Sequence, residues 1–429
     1  MLMRRDPIAW RLGSKAEKLR AQLLLGLFSG VVLPAMLLVP YLGQDSRAGR
    51  GVTHSIIAAT LAIIVATLSV RRFASFPGTR AFTYILPSFA STYGLALTVL
   101  LLARLDYNRL FLSVSFALAV LVAFTIALHI ARNAQRHFWL VPFGRTELVR
   151  ETPEVRWGVL TQPDLPSVSR SVIVADLHHD HDDDWARMLA VAAIQGHEVY
   201  HTKVLMESLT GQVSMEHLSE NSFGSLVPNL IYVHVKRAVD LIGVLVLAPV
   251  LAPLLLGIAL MIKLGSPGPV LFIQERMGYR GIPFRMIKFR TMHVRDEASG
   301  EAARSEAMTA LRDPRITRIG HILRRSRMDE LPQIWHILKG EMSWIGPRPE
   351  AIPLSRWYEN EIPFYLYRHI LRPGISGWAQ VRQGHVTDVD DVRAKLKYDF
   401  YYIKNFSAWL DLLIALKTLR TVLSGFGSR

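Results

Sequence analysis

The stretch LIGVLVLAPVLAPLLLGIALMI, residues 241–262, decides how the second half of this chain is built. It holds no charged residue; Lys236 and Arg237 precede it and Lys263 follows. Its length matches the ~20 residues that a helix needs to cross ~30 Å of hydrocarbon. Pro249 and Pro253 fall in its middle. Proline lacks the N–H of a helical hydrogen bond, and its ring crowds the preceding turn. Two paths answer this. One is a kinked helix that crosses the membrane. The other is a re-entrant helix–break–helix that enters one leaflet and returns.

Four further apolar stretches lie upstream, at residues 22–42, 54–70, 81–103 and 110–130. Each is close to spanning length, and four in succession with short charged links read as a membrane bundle rather than a buried core. The N-terminal arm carries Arg4, Arg5, Arg11, Lys15, Lys18 and Arg20. Arg71, Arg72 and Arg80 follow the second stretch, and Arg132 and Arg136 the fourth. The other two links hold only Arg47 and Arg50, and Arg104 and Arg109. By the positive-inside rule both ends of the bundle face the cytoplasm, as in a multi-pass inner-membrane protein. The N-terminus does not read as a cleaved secretory signal, because more apolar runs follow and a small-residue cleavage pattern is missing.

Composition agrees. Half of the 429 residues are hydrophobic, and mean hydropathy is +0.23. The chain has no cysteine, which excludes disulfides, zinc–thiolate sites, iron–sulfur clusters and thiol nucleophiles. Its net charge of +15 fits nucleic acid, an anionic membrane surface or phosphorylated ligands. No nucleic-acid motif is present, so membrane lipids and phosphate are the expected partners.

Residues 137–225 read as a small cytoplasmic α/β (Rossmann-like) domain between a four-helix transmembrane region, 1–136, and a third domain, 228–429. Residues 155–161, 171–176 and 198–201 are strand-like, and 184–195 is a helix ending at Gly196. This alternation predicts a parallel sheet. No Gly-rich phosphate loop follows the early strands, which argues against a nucleotide site there. His178-His179-Asp180-His181-Asp182-Asp183-Asp184 has metal-ligand residue types. Its residues are contiguous on one loop rather than spread over facing elements. The reading adopted is a solvated loop that caps the following helix.

The third domain carries eight motifs in order. They are Lys236-Arg237-Ala238-Val239-Asp240, Ser266-Pro267-Gly268-Pro269, Gln274-Glu275-Arg276-Met277-Gly278 and Lys288-Phe289-Arg290-Thr291-Met292. Then come Asp313-Pro314-Arg315-Ile316-Thr317, Met328-Asp329-Glu330-Leu331-Pro332-Gln333, Gly346-Pro347-Arg348-Pro349-Glu350 and Arg372-Pro373-Gly374-Ile375-Ser376-Gly377-Trp378-Ala379-Gln380-Val381. With these motifs the chain resembles the bacterial sugar transferases, the monotopic polyprenol-phosphate phosphoglycosyl transferases. The spans and α/β unit before them resemble the large-form members. The resemblance implies a mostly α-helical monotopic catalytic domain. It also implies transfer of sugar-1-phosphate from a UDP-sugar, glucose ahead of galactose, to undecaprenyl phosphate. UMP would be released and a repeat unit of exopolysaccharide, capsule or O-antigen begun. It also decides the path of residues 241–263: a full crossing would carry these basic motifs away from cytoplasmic nucleotide sugars, so the re-entrant form is expected.

The residues support this on their own chemistry. Pro332 suits the first turn of a helix that runs to Lys339 and stops at Gly340. Asp329-Glu330 then lies at a helix N-terminus, beside free N–H groups where a phosphate can also sit. Alone the pair reads as a helix cap. Arg324, Arg325, Arg327, Lys288, Arg290 and Arg348 turn the reading toward a polyphosphate ligand. A carboxylate approaching a phosphoanhydride meets like-charge repulsion, which a divalent metal and arginines relieve. Mg²⁺ suits oxygen ligands, here Asp329 and Glu330. The resemblance implies Asp329 as nucleophile in a covalent aspartyl intermediate and Arg348 and Arg324 as phosphate contacts. Lys288 and Arg290 are expected in the same pocket, and Asp240 in a structural role.

Two departures from the family pattern stand out: Glu341 where Asp is common, and Val381-Arg382-Gln383-Gly384 in place of Val-Asn-Gly-Arg. The second puts carry-over of base or sugar contacts to that loop in doubt. Residues 352–370 and 405–423, rich in aromatic and basic side chains, read as either interfacial or core. A one-step transfer with Asp329 only a metal ligand is the enzyme alternative. A membrane transporter or sensor is the alternative from another class, disfavoured because the spans hold almost no ionisable residues. Regulation and homo-oligomerisation are the roles considered for 137–225.

Overall fold

Ala59, Ala62, Ile63 and Ala66 recur at the spacing of one helix face. In the computed structural model of the chain, all four are at most 3% exposed. Small side chains here let neighbouring helices close on one another. The structure describes residues 18–42, 46–76, 81–133, 138–146, 149, 157–166, 171–213, 228, 230–293, 315–383 and 389–424. Arg4, Arg5, Arg11, Lys15, Arg80, Arg136, Val155, Arg156, Asp313, Pro314 and Gly384 lie outside the described residues. Two compact units emerge, Met1–Gly211 and Gln212–Arg429.

The first unit begins with α1 (Leu19–Leu27), a π turn (Phe28–Val32) and α2 (Leu33–Leu42). Then come α3 (Ser46–Ala74), α4 (Ala81–Leu102) and α5 (Arg109–Asn133). Hydropathy marked only residues 54–70 of α3; its polar ends continue the helix. In the π turn, Gly30 approaches α3 and α5 so closely that a Cβ would stand 2.6 Å from Ile63 and 3.0 Å from Ala119. Tyr93 and Ser115 share a 2.7 Å hydrogen bond between α4 and α5. Outward-facing Leu61, Leu95 and Leu121 are 59%, 66% and 58% exposed, as lipid-facing side chains would be.

Four short parallel strands follow: β1 (Phe138–Leu140), β2 (Trp157–Val159), β3 (Val172–Ala175) and β4 (Glu198–His201), in the order β2-β1-β3-β4. The parallel sheet matches expectation. β1 was not foreseen, because three residues carry no legible alternation. α6 (Asp183–Ile194) links β3 to β4, and α7 (Thr202–Thr210) follows β4. Asp182 caps α6 by accepting a 2.9 Å bond from the Trp185 N–H, and Gly196 (φ 84°) follows its end.

The second unit opens with α8 (Leu230–Gly265), 36 residues long. It runs through Pro249 and Pro253 without interruption, where two separated helices were expected. Each proline removes one backbone donor, and the surrounding leucines and alanines are strong helix formers. The first half of α8 packs Val244 against Phe284, Met286, Ile337 and Met342. The second half packs Ile258 and Ile262 against Phe289 and Leu323. Phe284, Met286 and Phe289 all lie on one strand, β6 (Pro283–Phe289), which forms an antiparallel hairpin with β5 (Leu271–Met277). Both halves of α8 therefore rest on one folded body. Between those contacts Val246, Val250 and Leu256 are 66%, 70% and 72% exposed. Among the described residues, five helices are long and apolar enough to cross a membrane.

After the hairpin come α9 (Arg318–Ser326), a 3₁₀ turn (Met328–Gln333), α10 (Ile334–Lys339), β7 (Ser343–Ile345) and α11 (Ile352–Glu361). A further 3₁₀ turn (Tyr365–Ile370) leads to β8 (Gly374–Ser376), parallel to β7. Three helices close the unit: α12 (Trp378–Arg382), α13 (Val389–Lys404) and α14 (Ala408–Ser424). The two late segments contribute side chains to the core and also leave apolar ones at the surface. Tyr365, Leu410 and Ile414 are buried, while Phe364, Leu366 and Leu419 stay exposed.

The motif that opens the unit is structural. Arg237 donates to the carbonyls of Ile337 (2.5 Å) and Leu338 (2.9 Å) at the end of α10. Asp240 accepts from the Ser343 hydroxyl (3.0 Å) and the Trp344 N–H (3.3 Å). Asp411 on α14 accepts from Tyr232, Lys236 and Tyr402 at 2.6, 2.5 and 2.6 Å.

Candidate active site

Arg327 ends α9 in the left-handed conformation, φ 54°, and begins the 3₁₀ turn that carries Asp329 and Glu330. That reversal brings the basic last turn of α9 beside the acidic pair. In a 3₁₀ helix successive side chains diverge by ~120°, so the two carboxylates enter different surroundings. Pro332 and Gln333 are buried, and Leu331 packs against the cluster of Ile258, Ile262, Phe289 and Leu323. α10 continues to Lys339 and stops at Gly340, φ 87°, the glycine that marked the end in the sequence. His336 fixes α10 to the hairpin. The Ile287 N–H donates to its Nε2 (3.0 Å), which leaves Nδ1–H to donate to Glu341 (2.5 Å).

The surroundings split the pair. Arg348 donates a 2.8 Å bond to Glu330. Burial works against the Glu330 charge, yet Arg348 holds its carboxyl below the usual range, with Arg327 and Lys288 helping. Asp329 accepts no hydrogen bond from the described residues. Burial, and then the charge of Glu330, push its carboxyl up to about 6 against the pull of Lys288, Arg348 and Arg324. Two adjacent carboxylates with ionisation driven apart are the pattern of groups with separate chemical tasks.

Lys288 lies on β6 opposite Phe272, its Nζ 5.0 Å from that ring centre. Burial, and then the charge of Arg276, bring its ammonium down to about 8, while Asp329 favours its charge. Arg324 donates through Nε to the Thr291 hydroxyl at 2.9 Å. Asp329, Glu330, Arg348, Arg324 and Lys288 are therefore one electrostatic cluster. Arg290 is not part of it. Its guanidinium, 4% exposed, donates to the Pro267 carbonyl (2.5 Å) and to the Ser266 carbonyl (2.9 Å) and hydroxyl (2.8 Å). It holds the turn after α8. Arg290→Lys keeps the charge but loses the planar fork. A thermal melt should show destabilisation of ~1–3 kcal/mol with donor KM unchanged.

Sequence reasoning assigned no role to Arg276, Glu350, Arg368, Lys395 or Asp399. Arg276 donates to the Pro349 carbonyl at 3.0 Å, and burial lowers it to about 10. Buried Glu350 is nonetheless held well below its ordinary range by Lys395 and Arg368. Arg368 donates to Asp399 (2.9 Å), the Tyr365 hydroxyl (2.8 Å) and the Arg348 carbonyl (2.9 Å). It thereby anchors the backbone that presents Arg348. Arg276 and Glu350 stand inside quoted motifs and were legible as motif members. Arg368 and Asp399 had no such signal.

Pro347 and Pro349 restrict that backbone, and Gly374 completes it. The Gly374 N–H donates to the Pro347 carbonyl at 3.0 Å, and a Cβ on Gly374 would stand 2.0 Å from the Gly346 nitrogen. Gly374→Ala should cost ~1–3 kcal/mol or more. Because the strain falls on the Arg348 segment, UMP release should fall together with melting temperature.

Asp329 and Glu330 offer oxygen donors only. Asp329 is uncommitted, and Glu330 makes one bond to Arg348, so lone pairs remain on both. That donor set fits Mg²⁺.

A family model described as Bacterial sugar transferase matches residues 231–425. The chain is 43% identical over 372 residues to a UDP-N-acetylgalactosamine-undecaprenyl-phosphate N-acetylgalactosaminephosphotransferase of Aeromonas hydrophila, covering 86% of this chain and 87% of that protein. It is 43% identical over 191 residues to a UDP-glucose:undecaprenyl-phosphate glucose-1-phosphate transferase of Caulobacter vibrioides, 44% of this chain and 70% of that one. An Escherichia coli protein of the same name is 38% identical over 195 residues, 44% of this chain and 40% of its own length.

Proposed function

The chain belongs to the bacterial sugar transferases and is a phosphoglycosyl transferase, and from that premise we propose that it moves sugar-1-phosphate from a UDP-sugar to undecaprenyl phosphate through Asp329. The observation that carries the residue assignment is the divided pair. Glu330 is tied to Arg348, while Asp329 stays uncommitted and more basic than an ordinary aspartate.

In the first step an Asp329 carboxylate oxygen attacks the β-phosphorus of the UDP-sugar. The P–O bond to the α-phosphate breaks, and UMP leaves with the electron pair. In the second, a phosphate oxygen of undecaprenyl phosphate attacks the same phosphorus, and the Asp329 carboxylate departs. The product is an undecaprenyl diphosphate sugar. Arg348, Lys288 and Arg324 bring positive charge to phosphate oxygens in both steps. Mg²⁺ bound by Asp329 and Glu330 would supply Lewis-acid relief of the like-charge repulsion.

Two features support a one-sided membrane path for α8. Each of its halves shares a buried apolar cluster with side chains of β6, and Leu331 packs against the cluster that holds its second half. A re-entrant path for residues 241–263 keeps the site at the depth of a lipid phosphate. The basic links near both ends of the four apolar stretches support catalysis on the cytoplasmic face of a bacterial inner membrane. The lipid product would begin a polysaccharide repeat unit.

The whole-chain likeness to the Aeromonas protein puts N-acetylgalactosamine beside glucose and galactose as the donor sugar. The test is UMP release by purified protein with undecaprenyl phosphate across UDP-GalNAc, UDP-glucose and UDP-galactose. One donor should dominate, and EDTA should abolish release until Mg²⁺ is returned. UMP released without acceptor, with labelled sugar-phosphate left on the protein, supports the two-step order. Neither of these appearing favours direct transfer.

A further inference from the structure

Three side chains in the first unit have no part in this chemistry. Asp176 directly follows the last residue of β3, and His201 is the last residue of β4. β3 and β4 are parallel neighbours, so these residues share the carboxyl edge of the sheet. That edge is where open α/β sheets bind ligands. His178 reaches the same point from the loop after β3. One donor atom from each of Asp176, His178 and His201 lies within 4.8 Å of the others. His178 Nδ1 and His201 Nε2 are 2.6 Å apart, and His201 Nδ1 is 3.9 Å from an Asp176 oxygen.

The carboxylate is held in place. Arg145 N–H donates to one Asp176 oxygen (2.9 Å) and His178 N–H to the other (3.2 Å). One bond on each oxygen leaves lone pairs free. Gly144, φ 72°, brings the loop after β1 so close that a Cβ would touch the carboxylate at 2.7 Å. Asp176 is buried, His201 half-buried and His178 exposed, so one side of the cluster is open. The start of α6 accounts for Asp182, which caps it, and for Asp183 and Asp184 in its first turn. It does not account for two imidazole nitrogens facing each other across two elements.

We propose that Asp176, His178 and His201 bind a borderline divalent transition-metal ion, of which zinc is the representative. Two imidazoles and a carboxylate favour such an ion over Mg²⁺ or Ca²⁺, which take oxygen ligands. Three protein ligands leave a fourth position for water or another group. Two nitrogens ~2.0 Å from a tetrahedral zinc stand ~3.3 Å apart, so the exposed His178 ring swings by less than ~1 Å on loading. The sequence alone pointed the other way because His178–Asp184 is contiguous. The fold supplies the facing element by adding His201 and Asp176.

The test uses untagged full-length protein in detergent with Mg²⁺ in excess, titrated with Zn²⁺ and with Co²⁺. Bound metal is measured after desalting, and Co²⁺ reports ligand geometry by its visible absorption. One zinc per chain should be retained. His178→Ala and His201→Ala should each weaken binding at least ~10-fold, while Asp329→Asn leaves it unchanged. His178 is exposed, so its variant should keep the wild-type melting curve measured without zinc. No retained zinc in the wild type, or equal retention in both histidine variants, overturns the proposal.

Discussion

Asp329→Asn is expected to lower UMP release on the order of 10³-fold or more, with the protein still folded and membrane-bound. Asparagine keeps the shape of the side chain and replaces the attacking carboxylate with a neutral amide. Burial and the neighbouring Glu330 raise the Asp329 carboxyl from 3.8 to about 6. Between those values the folded chain binds more protons than the unfolded one, so stability falls as pH rises through that window. At neutral pH the Asp329 charge therefore opposes folding, and removing it should leave the melting temperature equal or higher. Turnover and stability then move in opposite directions, which a structural aspartate would not produce. Glu330→Gln contrasts with it. Glu330 is held ionised by Arg348, so its variant should lose activity and stability together. Near-normal turnover in Asp329→Asn would refute the nucleophile role. Lost turnover with acceptor-independent UMP release intact in the wild type separates nucleophile from metal ligand.

How much of this was legible in the sequence follows from the range of each interaction. The apolar stretches were readable because hydrocarbon thickness sets a length. Gly340 and Gly196 were readable as helix ends because each closes a local turn. Motif order placed Asp329, Glu330, Arg348, Arg324 and Lys288 in one site, and the structure brings these five together. Arg290 shares a motif with Lys288 but follows the last residue of β6, where its side chain turns to the segment after α8. Pro249 and Pro253 suggested a break, yet two missing donors did not interrupt a helix with strong helix formers on either side. Arg368 and Asp399, 31 residues apart, meet only in the folded unit, so no local pattern could announce them. His201 likewise completes the His178 cluster from 23 residues away.

That long-range pair gives the other large effect. Arg368→Met is expected to lower the apparent melting temperature by on the order of 10 °C. The Arg368 side chain is 3% exposed and its Asp399 partner 2%. Breaking such a pair by removing one charge costs ~3–5 kcal/mol, because the other charge stays buried. Burial already pushes the Asp399 carboxyl up, and Arg368 and Lys395 are what hold it down. Without Arg368 its folded-state pKa rises further above the unfolded value. The deficit is then fullest above the folded pKa and shrinks as pH falls and Asp399 takes up a proton. Adding Asp399→Asn to the variant removes the stranded charge and should recover more than half of the lost stability. UMP release should not recover with it, because the Arg348 carbonyl still lacks its 2.9 Å donor. Thermal melts of the two single variants and the double variant measure the coupling directly. If Asp399→Asn adds its own loss to that of Arg368→Met instead of offsetting it, the pair is not the unit that holds the Arg348 backbone in place.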